Sequence, residues 1–132
     1  MACPYFLPGR RMADSKDVPG WKMPLGGVFD GECRLPELPA WKPPEERLRQ
    51  CCNTGYPAGC CERFPANSPF DLIRLLIVEE GERSARLLYV YEKDHQPAGK
   101  GELTVPAGGG VLETQAETYW NSYLERKCKR IP

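Results

Sequence analysis

Two adjacent cysteine pairs constrain this chain more than any other feature of its sequence. Cys51-Cys52 and Cys60-Cys61 hold four of the seven cysteines and flank a loop rich in turn-forming residues. Thiolate is the ligand that zinc, copper(I) and iron–sulfur clusters prefer. One cysteine from each pair, joined by two more from the preceding chain, would complete a four-thiolate metal site. The predicted ligands are Cys3, Cys33, Cys52 and Cys61, with Cys51 and Cys60 as alternates.

The spacing of these cysteines favours a [4Fe-4S] cluster, with zinc as the alternative and a metal-free protein left open. Structural zinc sites usually draw ligands from Cys-x2–4-Cys knuckles, and this chain has no such spacing. The ligands of a cubane need not share a turn, so they can arrive singly from separate segments. Pro4 directly after Cys3 is similar to the Cys-Pro step of ferredoxin-type ligation.

Charge and hydropathy limit the classes of partner. Eighteen basic and eighteen acidic residues cancel, so we expect neither nucleic-acid binding nor attraction to an anionic membrane. The longest apolar run, residues 75–78, is too short to span a bilayer, so no membrane insertion is expected. Prolines and arginines interrupt the N-terminus, which does not resemble a secretory signal. We therefore expect a cytoplasmic protein with reduced thiols and no structural disulfide.

The first half of the chain, residues 1–68, is predicted to be an irregular cysteine-rich lobe. Residues 1–69 carry eleven of the fourteen prolines and show no sustained strand or helix period. The segment is too apolar for disorder, so a metal would staple it. One short helix begins after Pro43-Pro44 and aligns Leu48, Cys51 and Cys52 on one stripe, so at least one of the two cysteines faces inward. Asn53 and Gly55 are expected to stop it in a left-handed conformation. Residues 26–33 form a turn and a short extended piece that delivers Cys33.

The second half, residues 69–132, is predicted to be a small antiparallel β-meander packed on a C-terminal amphipathic helix. Strands are expected over 70–79, 83–93 and 102–105, with a hairpin turn at 80–82 and a polar loop over 94–101. The helix spans 114–129, and its apolar stripe comprises Ala116, Tyr119, Trp120, Tyr123 and Leu124. The fold class is therefore α+β, and the two halves together are expected to form one compact unit.

The remaining candidate side chains have simpler interpretations. His95, the only histidine, lies in a turn-forming context and is assigned to a turn. Cys128 continues the stripe of the C-terminal helix and is assigned to packing. Cys51 and Cys60 are the best candidates for reactive or resolving thiols. The sequence contains no serine–histidine–aspartate or cysteine–histidine arrangement, so an enzymatic role is not favoured.

A group of motifs resembles an uncharacterised family of short bacterial cysteine-motif proteins. They are Cys3-Pro4-Tyr5-Phe6, Gly31-Glu32-Cys33, Cys52-Asn53-x-Gly55-Tyr56-x-x-Gly59-x-Cys61-x-x-Phe64-Pro65, and Tyr91-Glu92-Lys93-Asp94-His95 followed by an aromatic-rich terminal helix. The likeness spans most of the chain. It implies four-cysteine iron–sulfur or zinc binding in which Cys51 and Cys60 are the extra members of each pair. It implies no activity.

The sequence leaves three functions open. The first is a small iron–sulfur protein that transfers electrons or senses oxidants together with a protein partner. The second is a protein-interaction module in which zinc is purely structural and folds the proline-rich half. The third is an enzyme in which an open iron position or the spare thiols act on a substrate.

Overall fold

Two antiparallel sheets and a long C-terminal helix make up an α+β fold. The computed structural model describes residues 2–13, 22–54 and 60–130, with only the backbone described over 128–130. The elements are β1 (Phe6–Met12), β2 (Val28–Cys33), α1 (Glu45–Arg47) with the π-helical turn that continues it (Leu48–Cys52), β3 (Leu72–Glu80), β4 (Ala85–Lys93), β5 (Gln96–Val105) and α2 (Val111–Arg130). One sheet pairs β1 with β2, and the other has the order β3-β4-β5.

The three-stranded meander confirms the prediction for the second half, with one correction. The first hairpin turn lies where expected, and the Gly81 N–H donates to the Ser84 carbonyl oxygen at 2.8 Å. The polar loop predicted over 94–101 is wrong, because β5 already begins at Gln96. Asp94 and His95 alone make the turn, with φ of 52° and 64°. Since β5 is an edge strand, it tolerates Pro97, which cannot donate to a ladder.

The first half contains a two-stranded sheet that the sequence pattern did not reveal. Strand β1 pairs antiparallel with β2 from Phe6↔Cys33 to Met12↔Val28, and its register shifts between Pro8 and Arg11. This irregularity breaks the alternation of apolar and polar residues by which strands are recognised. The predicted extended piece leading to Cys33 is confirmed as β2.

The predicted short helix is present, but its ending differs. Leu48, Cys51 and Cys52 are buried as expected. Asn53 is right-handed, with φ of −91° and ψ of −12°, so it is not the predicted left-handed stop, and Gly55, the other residue predicted for that role, lies outside the described residues. The backbone N–H of Asn53 instead donates to the Leu48 carbonyl oxygen at 3.1 Å, five residues back, which produces the wider π-helical turn.

Helix α2 covers the meander with its predicted stripe. Ala116 and Trp120 are buried in a cluster with Ala85, Leu87 and Val105, and the remaining stripe residues pack against it. Gln115, which the stripe omits, is also fully buried. No helix within the described ranges is long and apolar enough to cross a membrane.

A second core cluster joins the two halves of the chain. It combines front-half residues such as Cys3, Phe6 and Cys52 with Ile73 of β3. Ala2 forms an isolated antiparallel bridge with Ile73, in which each N–H donates to the other residue's carbonyl oxygen at 2.9 Å. The segments 1–68 and 69–132 therefore share buried surface and backbone hydrogen bonds.

Candidate metal centre

Four separately delivered cysteines line one pocket. Cys3 lies three residues before β1, Cys33 ends β2, Cys52 ends the π-helical turn, and Cys61 lies between that turn and β3. The first three are buried and Cys61 is half-buried. The chain thus brings together every residue of the predicted ligand set at one place.

Backbone hydrogen bonds fix where these cysteines stand. The Cys3 N–H donates to the Cys52 carbonyl oxygen at 3.3 Å, so the N-terminal segment is tied to the helical turn. Cys33 and Trp41 exchange two bonds, at 2.7 and 3.1 Å, which closes the loop after β2. These are isolated bonds between distant segments, so they depend on tertiary structure and carry no local sequence signal.

The thiols interact electrostatically with one another. Burial raises the pKa of Cys3 well above its ordinary value, and the neighbouring thiols Cys52, Cys33 and Cys61 raise it further. Burial raises the pKa of Cys52 to about 12, with Cys33 and Cys61 adding to the shift. Burial also raises the pKa of Cys33, to which Cys61 contributes. Every pair among the four is therefore close enough for one charge to affect the other.

Such a site needs a cation to hold its sulfurs as thiolates. Without one, Cys3, Cys33 and Cys52 remain protonated at neutral pH, because burial disfavours the charged form of a thiol. A bound metal displaces these protons and supplies the missing charge. Four convergent, mostly desolvated thiols are a donor set that suits both a thiolate-bound zinc ion and an iron–sulfur cluster.

Two arginines stand at the sulfurs and were missed by the sequence interpretation. Arg47 Nη1 donates to Cys61 Sγ at 3.3 Å. The positive charge of Arg63 lowers the pKa of Cys33, against the larger effect of burial. Their guanidinium carbons lie 5.9 Å (Arg47) and 4.3 Å (Arg63) from the centroid of the Trp41 ring. The indole therefore supports both cations from within the pocket wall.

Apolar side chains form most of the remaining wall. Tyr5 and Phe64 meet edge to face, with ring centroids 5.7 Å apart, and Phe6, Leu35 and Pro43 complete the lining. Between these walls the pocket measures about 360 Å³, including its mouth. Aromatic residues that exclude water from a metal site lower its effective dielectric constant and strengthen its electrostatic interactions.

The alternates Cys51 and Cys60 are joined to each other by a disulfide. Their Cα atoms are 5.8 Å apart, within the usual range for a cystine. The expectation of no structural disulfide is therefore wrong for this pair. That expectation rested on a compartment that keeps thiols reduced, whereas here one member of each vicinal pair is joined to the other across the loop. A cystine sulfur is not a thiolate ligand, so Cys52 and Cys61 are the members of the two pairs that can bind metal.

The four thiols line one pocket without forming a compact single-ion group. Among the described residues, no three histidine, cysteine, aspartate or glutamate side chains are grouped closely enough to hold one metal ion. In a tetrahedral zinc site with Zn–S bonds of about 2.3 Å, the ligating sulfurs are about 3.8 Å apart. The thiolates of a cluster can stand farther apart than this, because each one binds a different iron.

Other predicted features fall outside this pocket or outside the described part of the chain. His95 lies in the β4–β5 turn, which confirms its assignment as a turn residue. Gly55, Tyr56 and Gly59 of the cysteine motif lie outside the described residues, as does the side chain of Cys128. Comparison of the chain with protein-family models, curated protein sequences and solved structures found no match.

Proposed function

We propose that this chain is a small iron–sulfur protein that binds a [4Fe-4S] cluster and acts in electron transfer or redox sensing with a protein partner in the cytoplasm. The proposed ligands are Cys3, Cys33, Cys52 and Cys61. The observation that carries the proposal is the pocket itself, in which four cysteines from distant segments interact pairwise behind apolar walls. The cluster supplies one-electron chemistry when bound, and the chain supplies its ligands and surroundings.

The lack of a single-ion grouping among the described side chains favours a cluster over a single ion. Four thiolates that each bind a separate iron stand farther apart than the roughly 3.8 Å of a tetrahedral zinc site. The described side chains offer no grouping tight enough for one ion. All four thiols are nevertheless close enough that each pair shifts a thiol pKa. Both features suit a centre that fills the middle of the pocket.

The arginines at Cys33 and Cys61 give the pocket the features of a redox site. Hydrogen bonds to ligating sulfurs and nearby positive charge stabilise the reduced, more negative state of a cluster, which raises its reduction potential. Arg47 provides both features at Cys61, and Arg63 provides positive charge near Cys33. A purely structural metal has no need of this tuning.

Purification without oxygen tests the proposal directly. The protein should be brown and contain about four iron and four acid-labile sulfide per chain. Cys3→Ser, Cys33→Ser, Cys52→Ser and Cys61→Ser should each lose most of both, while Cys128→Ser, at a position assigned to packing, should retain them. Colourless protein with stoichiometric zinc would overturn the proposal.

Arg47→Met offers a finer test of the sulfur environment. Removing the Nη1–H donor and the positive charge at Cys61 should lower the midpoint potential of the cluster. A redox titration followed by electron paramagnetic resonance measures the potential. Arg34→Met is the matched control, because Arg34 pairs with Glu32 at 2.9 Å and is not part of the pocket lining. Equal shifts in the two variants would contradict a specific role for Arg47.

A zinc-stabilised interaction module is the second candidate. It is favoured by the position of Cys3 and Cys52 inside the core cluster that joins the two halves. A structural metal bound there would fasten the front half to β3, with a binding free energy on the order of 10 kcal/mol. Reversible one-electron reduction of the purified protein would count against this candidate.

A further inference from the structure

The cystine of Cys51 and Cys60 has two chemically different ends. Cys51 is 2% exposed and forms part of the pocket wall. Cys60 is exposed to solvent. An incoming thiolate must approach along the axis of the S–S bond from outside the protein. It can therefore reach the sulfur of Cys60, while Cys51 is shielded.

We propose that Cys51–Cys60 is a thiol–disulfide exchange site, in which Cys60 is the sulfur attacked by an external dithiol and Cys51 is the buried resolving thiol. The proposal does not depend on the proposed cluster, because it concerns two cysteines that are not in the ligand set. Its chemical substrate is a dithiol donor, such as a small dithiol or the reduced pair of a dithiol oxidoreductase.

The exchange balances in two steps. A thiolate of the donor attacks Cys60 Sγ and forms a mixed disulfide, while the electron pair of the broken bond goes to Cys51 Sγ, which takes up a proton. The donor's second thiol then attacks the donor sulfur of that mixed disulfide and releases Cys60, which is also protonated. The donor is oxidised to its disulfide, and the protein gains two electrons and two protons.

The surroundings of Cys60 suit both states of the pair. Its Sγ lies 3.4 Å from the Gln50 carbonyl oxygen, which can accept a hydrogen bond from the thiol after reduction. Cys51 belongs to the π-helical turn, so its sulfur stays close by when the bond opens. Reoxidation is then an intramolecular closure across a short loop, which loses little chain entropy.

The position of the pair gives the exchange a consequence for the pocket. Cys51 directly precedes Cys52, and Cys60 directly precedes Cys61. The cystine therefore ties together the two segments that carry half of the predicted ligand set. Its reduction releases that tie without removing any of the four pocket thiols.

Two variants, each lacking one cysteine of the pair, test which sulfur is attacked. Full-length protein, purified without oxygen and with any bound metal retained, is incubated with glutathione disulfide and mapped by mass spectrometry with peptide fragmentation. Cys51→Ser should acquire glutathione at Cys60, whereas Cys60→Ser should be modified at Cys51 at least about tenfold more slowly, because Cys51 is shielded. Equal or reversed rates would overturn the assignment of the two roles.

The wild-type protein provides the second measurement. In graded mixtures of reduced and oxidised dithiothreitol, the Cys51–Cys60 bond should open and close reversibly while the far-ultraviolet circular dichroism stays constant. Cys128→Ser is the matched control, since it removes a thiol that belongs neither to this pair nor to the predicted ligand set and should leave this cycle intact. A bond that opens only when the protein unfolds, or a cycle that is lost in Cys128→Ser, would overturn the proposal.

Discussion

Asn53 connects the helical turn that carries Cys52 with the strand that carries Cys33. Its side chain is fully buried. The Oδ1 atom accepts the Phe29 N–H at 3.1 Å, and Nδ2 donates to the carbonyl oxygens of Phe29 and Leu48, both at 2.9 Å. One amide thereby satisfies three buried backbone groups of two elements that flank the pocket.

Asn53→Ala should lower the free energy of unfolding by about 2–4 kcal/mol, because each buried group left without a partner costs about 1–3 kcal/mol. Urea denaturation measures the change. Thr54→Ala is the control, since its exposed hydroxyl donates only to the Gln50 carbonyl oxygen, and it should cost less than about 1 kcal/mol. Equal losses in the two variants would contradict this role of Asn53.

Asp71 gives the fold a pH-dependent contribution. The Asp94 N–H, which donates to Oδ2 at 2.9 Å, holds the pKa of this carboxyl below its ordinary value, and Lys93 at 3.2 Å adds to the effect. A carboxyl whose pKa is lower in the folded state stabilises the protein above the unfolded pKa. That stabilisation is lost as the pH falls through the folded pKa.

Asp71→Asn should therefore be less stable than the wild type at neutral pH, and the difference should shrink below about pH 4, near the unfolded pKa of aspartate. Urea unfolding of both proteins from pH 7 to pH 2.5 measures it. A difference that stays constant over this range would show that the carboxylate charge does not contribute.

At the scale of single residues, the sequence pointed to the cysteines of the pocket but not to the disulfide or the arginines beside them. Vicinal pairs and thiolate chemistry are local signals, so the four pocket residues could be selected without a structure. The bond between Cys51 and Cys60 depends on how the loop folds, and cysteine pairing cannot be deduced from sequence alone. Arg63 lies two residues after Cys61 in the sequence. That spacing alone does not place its guanidinium at the pocket, because the contact depends on Trp41, which lies beneath it in the fold.

Helix α2 reaches across to the N-terminal segment through one side chain. Gln115 Nε2 donates to the carbonyl oxygens of Cys3 and Phe6, both at 2.8 Å. Its Oε1 atom finds no hydrogen-bond partner among the described residues. The helix thereby positions the backbone of one pocket cysteine from outside the cysteine-rich half.

Gln115→Ala should lower the free energy of unfolding by about 1–3 kcal/mol, because the buried Phe6 carbonyl oxygen loses the Gln115 donor while the Cys3 carbonyl oxygen keeps only the Phe6 N–H. Thermal or urea unfolding measures the loss. Asn121→Ala on the exposed side of the same helix should change stability by less than about 0.5 kcal/mol and separates this effect from helix propensity. Comparable losses would mean that the Gln115 hydrogen bonds are not stabilising.

Sequence patterns predicted the elements that bury a regular face and missed those that do not. Strand β4 and helix α2 were found because their apolar residues recur at fixed spacing. Strand β1 carries Pro8, Gly9, Arg10 and Arg11 and shifts register among them, so it has no period to detect. The first half of β5 was hidden in the same way, since an edge strand accepts proline and glycine where a central strand would not.

At the scale of the whole molecule, metal binding and folding should be coupled. The core cluster containing Cys3 and Cys52 also contains Phe6, Leu48 and Ile73, so a ligand bound to the sulfurs is attached to the contact between the two halves. Because a metal that binds only the folded state stabilises it, loss of the metal should weaken this contact first.

Removal of the metal should lower the midpoint of thermal unfolding. It should also speed amide hydrogen exchange in β1, β2 and the π-helical turn more than in β4 and β5. Hydrogen–deuterium exchange followed by mass spectrometry measures both regions in one experiment. Cys3→Ser should exchange like the metal-free protein whether or not metal is offered. Uniform exchange across the molecule would contradict the coupling.

Trp41 lies in the wall of the pocket, hydrogen-bonded through its backbone to Cys33 and covered by Arg63. The fluorescence emission of an indole at this position would report on what the four sulfurs bind. A coloured centre in the pocket will quench its emission, and loss of that centre will restore it. Trp120 belongs to the other core cluster, and Trp41→Phe assigns the signal. Filling and emptying of the pocket can then be followed by fluorescence in real time, without any added dye.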